Sequence, residues 1–295
     1  MSNTPVATSA QSIDLAASTI GGPPQTTSIN PDSPPWGIVA AVSAWLASVV
    51  MLAVVPNVCV LPYLAYKYKG VAVAREALLN DKTFVFLFVL GWLPAHLLTL
   101  ALIWAIATRL GKLSLKEVLG WSWSPKLGLW RSVSLAVLLF LVTLLLVARF
   151  GGPRTDLDRI IESSRAAAVT LAVLAVLTAP LVEEMIYRGL LYSAFRRALG
   201  QWAAVVIVTS MFAGLHVVQY WPNAGAISSI TLLSLALTLI RARTGKLLPC
   251  FVVHLVFNGV QSVIIILEPY LSTLFEVWRH EPVNTFIFNL RLLLF

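Results

Sequence analysis

This sequence predicts an all-α fold, a polytopic integral membrane bundle of about seven to eight transmembrane helices. Three observations predict it. Of 295 residues, 58% are hydrophobic and only 12% are charged, against about 25% charged in a soluble domain. Mean hydropathy is +0.84. The apolar residues fall in long runs, and the basic residues sit mostly in the short stretches between them. That placement gives the net charge of +8 a topological explanation and leaves no nucleic-acid partner to infer. Cys59 and Cys250 both lie in apolar runs. They indicate neither a disulfide framework nor a CxxC site.

Residues 1–35 are rich in Ser, Thr, Pro, Ala and Gly and contain no Lys or Arg, the composition of a disordered tail. An N-terminal transmembrane region covers 36–150. Its first span runs from Trp36 to about Tyr66, with a kink or early end expected at Pro56 and Pro62. Phe84 to Thr108 is the second span and holds His96, which reads as a packed, hydrogen-bonded side chain. The basic stretch 109–131, with Trp121, Trp123 and Trp130, suits a segment at headgroup level. Ser132 to Ala148 is the third span. A core region follows over 151–267, broken from the first by Gly151-Gly152-Pro153. It contains a polar helix after Asp156 and one long fourth helix over about 166–198, continuing past Pro180 to a stop at Gly200. Spans at 203–218, 226–240 and 247–267 complete it. Residues 268–295 form an amphipathic C-terminal tail, whose last apolar run is too short to span. Lys and Arg divide evenly between the two sets of turns once Arg188 is set aside, so charge bias gives no orientation.

The core region carries polar residues where hydrocarbon should dominate. Charged groups in a membrane segment usually pair or line a wet cavity. Glu184 and Arg188 are four residues apart and share a helix face, so they can form an internal pair. Glu183 is rotated by about 100° from Glu184 and can point elsewhere. His216 follows on the next apolar run, and His254 with Asn258 on the last. If Arg197, Gln201 and Lys246 lie at one surface, Glu183 is roughly 20 Å deep, His216 roughly 22 Å, Asn258 near 18 Å and His254 roughly 12 Å at 1.5 Å per residue. A carboxylate, two imidazoles and an amide in a comparable depth band on the same side are the ingredients of water activation: Glu183 as base, the histidines positioning the water, Asn258 at an oxyanion. The same chemistry admits a divalent metal such as zinc, with Glu183, His216 and His254 as ligands, although the HExxH pattern is absent. A structural ion-pair cluster and a proton-relaying carrier are the competing readings, the latter weakened by the lack of an inverted repeat.

The ordered motifs Glu183-Glu184-Met-Ile-Tyr-Arg188, Phe212…His216 and His254…Asn258 resemble the CPBP family of intramembrane proteases, also called the type II CaaX prenyl protease or Abi family. Tyr187 stands where that family often has Phe. The resemblance implies a helical membrane fold with a cavity open to the cytosol, in a multi-pass protein of the cell membrane. It implies endopeptidase chemistry on a membrane-anchored or lipidated, CaaX-like substrate. Glu183 would match the water-activating residue, Glu184 and Arg188 its supporting pair, and His216, His254 and Asn258 the cavity residues. Some relatives act as immunity or accessory membrane proteins, which makes a non-catalytic binding protein of the same fold the alternative.

Overall fold

The computed structural model describes residues 30–153 and 155–278. Residues 1–29 of the expected tail and 279–295 of the C-terminal segment lie outside the described residues. Among the described residues the chain is helical, with no strand beyond an isolated bridge between Ser124 and Leu127. Among the described residues seven helical spans are long and apolar enough to cross a membrane, so the all-α, multi-pass bundle is as expected.

Helix α1 (Ile38–Tyr68) contains both prolines and ends at neither. Membrane helices tolerate proline where neighbours compensate for the lost backbone bond. Pro56 is instead a packing point. A side chain at Gly91 would place its Cβ 2.7 Å from the Pro56 Cα, so only glycine lets the two backbones approach. Short α2 (Arg75–Leu79) leads to α3 (Lys82–Leu90), whose first amides are capped by Asp81. The second span breaks at Gly91, and α4 (Trp92–Ala107) continues it. The tryptophan-rich stretch holds only α5 (Leu115–Val118). Trp130 is exposed, while Trp121 packs against Phe251. The third span is α6 (Leu129–Phe150), and the polar helix is α7 (Asp156–Ser163), started by a Thr155–Asp158 capping box.

The expected uniform fourth helix is corrected in detail. Arg165–Leu199 is one candidate span, but it is built from four pieces. These are α8 (Arg165–Leu177), α9 (Ala179–Glu183), a π-helical segment Glu184–Leu191 and α10 (Tyr192–Leu199). Pro180 sits in the first turn of α9, where its missing N–H costs least. Three long helices follow: α11 (Gln201–Tyr220), α12 (Ala224–Thr244) and α13 (Leu248–Trp278). Helix α13 thus carries the chain eleven residues into the segment read as a C-terminal tail.

The expected tail is also corrected at its end. Residues 30–36 pack on the bundle. Asp32 pairs with Arg196 and Arg241, Arg197 donates to Pro34 O, and the buried Trp36 donates to Leu190 O. A composition without aliphatic bulk cannot form a core, but these contacts need only polar atoms and one indole.

Candidate active site

The break between α9 and the π-helical segment falls between the two glutamates. Single π turns inside α-helices occur often at functional sites. Here the effect is a division of labour. Every residue from Glu184 to Leu191 is buried. Glu184 and Arg188 are fully enclosed, with Arg188 Nη1 donating to Glu184 Oε1 at 3.0 Å. Arg188 also donates to Ser234 O and Oγ at 2.9 Å and to Thr238 Oγ1 at 3.3 Å, all on α12. A buried cation is tolerable only when its hydrogen bonds are met, and α12 supplies them. Glu183 keeps 27% of its side chain exposed, against none of Glu184.

That exposure opens on a cavity of about 650 Å³ lined by Glu183, His216, His254 and Asn258. Four residue positions singled out from three separate apolar runs therefore meet in one hollow. Glu184 and Arg188 stand behind its wall. His254 joins the two layers. Its Nδ1 lies 2.8 Å from Glu184 Oε1 and its Nε2 lies 3.7 Å from Glu183 Oε2. A carboxylate cannot donate, so His254 Nδ1–H donates to Glu184 and fixes the ring. Nε2 then faces Glu183 at a distance that a water can bridge.

His216 is oriented from its own helix. Its Nδ1 lies 2.8 Å from Phe212 O. A carbonyl only accepts, so Nδ1 is the donor and Nε2 carries the free lone pair. The buried Phe212 ring stacks on His216, meets Tyr187 and His254 edge-on, and lies 4.8 Å below the Arg188 guanidinium. One phenyl ring thus sets the positions of both histidines and of the arginine. Asn258 Nδ2 donates to Ala175 O at 2.9 Å. This tethers α13 to α8 and leaves Oδ1 and the second amide hydrogen for the cavity.

Further polar residues line the cavity, His96 and Tyr187 among them. His96 is buried and hydrogen-bonded as expected, with Nδ1 2.7 Å from the hydroxyl of Thr178 at the start of α9, and it also lines the same cavity. Tyr187 also lines it, and its hydroxyl accepts from Trp45 Nε1 at 3.0 Å. The hydroxyl hydrogen of a tyrosine so anchored stays available, a donor that phenylalanine at this position would lack. The tyrosine-for-phenylalanine difference therefore changes the polarity of the wall.

The expected zinc set can be tested on its donors. Each of His216 and His254 has one nitrogen already committed and the other free, a pattern metal ligands share. Convergence is missing. Among the described residues, no group of three or more His, Cys, Asp and Glu is arranged to hold a metal ion. Glu183, His216 and His254 share a cavity without forming a coordination shell, so no step below passes through a metal.

Comparison with curated proteins and with solved structures gives no match. Residues 165–260, from the start of α8 through Asn258 on α13, match the family model described as type II CAAX prenyl endopeptidase Rce1-like, the family of membrane proteases that the three motifs resemble.

Proposed function

We infer that this protein is an intramembrane endopeptidase that hydrolyses a peptide bond near the end of a membrane-anchored or lipidated, CaaX-like protein or peptide. The observation that carries this reading is the unequal fate of two adjacent acids. Glu184 is fully buried and its Oε1 accepts from both Arg188 and His254, whereas Glu183 opens on the cavity with an imidazole nitrogen 3.7 Å away. A carboxylate held this way is a base without a structural duty.

The chemistry follows from the donors and acceptors. A water placed between Glu183 and the scissile carbonyl gives its proton to Glu183 as its oxygen attacks the carbonyl carbon. His216 Nε2 accepts a hydrogen bond from the water's other O–H, which stays on the attacking oxygen, and so aims the attacking lone pair. The negative charge that develops on the carbonyl oxygen receives the free amide hydrogen of Asn258, with the Tyr187 hydroxyl as a second donor on the same wall. When the C–N bond breaks, the proton held by Glu183 passes to the leaving amine. His254, tied to Glu184 by one nitrogen, faces Glu183 with the other at 3.7 Å, a separation a water can bridge, and so keeps that carboxylate in register. The apolar part of the wall, including Leu52, Leu171 and Val182, admits a greasy segment beside the reacting peptide.

The protein works in the bilayer as a multi-pass protein. A cavity facing the cytosol would place Arg197 and Lys246 on that side of the cell membrane. The non-catalytic immunity or accessory reading draws support from no feature of the site.

The test is quantitative membrane proteomics of a strain carrying Glu183→Gln beside wild type, with equal expression of both proteins. A membrane-anchored precursor should accumulate uncleaved in the variant. Identical peptide termini throughout the two membrane proteomes would refute the proposal.

A further inference from the structure

The cavity is held from behind by a chain of contacts that starts outside the family-matched segment. Arg241, near the end of α12, is fully buried. Its Nε donates to the backbone carbonyl of Arg188 at 3.1 Å. Its Nη2 donates to Ser193 Oγ at 3.2 Å and to Pro31 O at 3.3 Å, and its Nη1 lies 3.4 Å from Asp32 Oδ1. Asp32 is also held by Arg196 at 2.7 Å. The guanidinium therefore bridges three pieces of chain: the π-helical segment, the start of α10 and the stretch that precedes α1.

Its location gives the bridge a consequence. A π turn replaces i→i+4 backbone bonds with i→i+5 bonds and is rare as a free-standing conformation. Two carbonyls of this segment, Arg188 O and Leu190 O, each receive a side-chain donor from another element, Arg241 Nε and Trp36 Nε1. Arg188 is thus gripped twice, by its carbonyl from Arg241 and by its guanidinium from Glu184 and α12. Moving its backbone would move Glu184, which holds His254, which faces Glu183.

We propose that Arg241, held in place by Asp32, is a positioning residue of the cavity, fixing the backbone of the π-helical segment so that Glu183 and His254 stay in register. Neither residue touches the cavity, since neither lines it. The proposal rests on the endopeptidase reading for its effect on rate, but not for its effect on the segment itself.

The experiment compares wild type with Arg241→Lys, Asp32→Asn and Asp32→Glu, each full-length and reconstituted in nanodiscs. Lysine keeps the positive charge near Asp32 but has no Nε–H to offer the Arg188 carbonyl. Two readouts are taken. The first is amide hydrogen exchange. Arg241→Lys should raise exchange in peptides covering 184–192 about tenfold, as local opening does, with α6 and α13 unchanged. The second is cleavage of a membrane-anchored peptide. There kcat should fall about tenfold with KM within about twofold, the mark of misplaced reacting groups. Asp32→Asn should show the same pattern at about a third of the size, and Asp32→Glu should restore wild-type values. Wild-type exchange at 184–192 in Arg241→Lys would overturn the proposal, as would a rise spread evenly over all helices, or an unchanged kcat in an active enzyme. Should Arg241→Lys fail to fold, Asp32→Asn against Asp32→Glu decides by the same criteria. Absence of cleavage by wild type on every anchored peptide would instead sink the endopeptidase reading, and the exchange data would still judge Arg241.

Discussion

Helix α1 and helix α12 invert the rule that governs soluble proteins. The most apolar window of α1 has a mean hydropathy of 2.5 and is 17% buried, whereas that of α12 has 1.6 and is 50% buried. The more polar helix is the inner one. Lipid accepts Val39, Leu46, Val50 and Val54, which α1 exposes, at no cost. Ser229, Ser234, Thr238 and Arg241 of α12 are all buried, because their hydrogen bonds can be met only by protein. In this molecule burial follows the polar groups, and the polar groups converge on the wall behind Glu183.

The sharpest way to break that contrast is to remove a buried charge. Arg188→Leu leaves Glu184 without its cation in a dry site and should cost about 3–5 kcal/mol. Thermal unfolding in detergent would show it, and adding Glu184→Gln should recover part of the loss. Next come the cavity imidazoles. His254→Ala and His216→Ala should each lower kcat by about 10²-fold with the fold intact. A mild effect at either would reduce that residue to packing.

A smaller effect is expected at the surface end of α3. Asp81 caps that helix and accepts from Tyr63, Lys67 and Tyr68. Burial pushes its carboxyl up, but the hydrogen bonds from Lys67, Tyr63, Tyr68 and the Phe84 amide outweigh this and hold it far below the ordinary carboxylate range. Asp81→Ala should cost about 1 kcal/mol near neutral pH through the lost cap. Because the folded carboxyl titrates below its unfolded value of about 3.9, its contribution is complete above that pH and declines as pH falls further. The stability gap between wild type and Asp81→Ala should therefore narrow in acid. Smallest of all is Leu46→Ala on the lipid face of α1, where a change within about 0.5 kcal/mol is expected. A loss comparable to that at Arg188 would show that α1 buries this face against protein.

What could be read in the sequence divides along the same line. The spans were legible because hydrocarbon demands long apolar runs. The separation of Glu183 from Glu184 followed from helical geometry alone, and the common depth of Glu183, His216 and Asn258 from counting rise per residue. The π-helical segment was not legible, since its residues suit an α-helix equally well and two of its carbonyls are met by donors from Trp36 and Arg241, far away in sequence. His96 is packed and hydrogen-bonded as its apolar setting predicts, but its place on the cavity wall is not legible in the sequence. One histidine in an apolar run carries no pattern, and only the packing of α4 against α9 brings it to the cavity. Asp32 was hidden in a stretch whose composition resembles a tail, although its partners Arg196 and Arg241 hold it firmly. Local pattern thus marks the elements and the polar side chains Glu183, His216, His254 and Asn258 that line the cavity, while the layer behind them depends on long-range contacts.

The central claim is that Glu183, alone of the two acids, activates water. Its most direct measurement is single-turnover cleavage of a membrane-anchored peptide by reconstituted wild-type and Glu183→Gln proteins after exhaustive chelation. We predict that chelated wild type cleaves at its full rate and that Glu183→Gln is slower by at least about 10²-fold with unchanged thermal stability. Full-rate cleavage by Glu183→Gln would contradict the account, and a chelation loss restored by zinc would replace the free water with a metal-bound one.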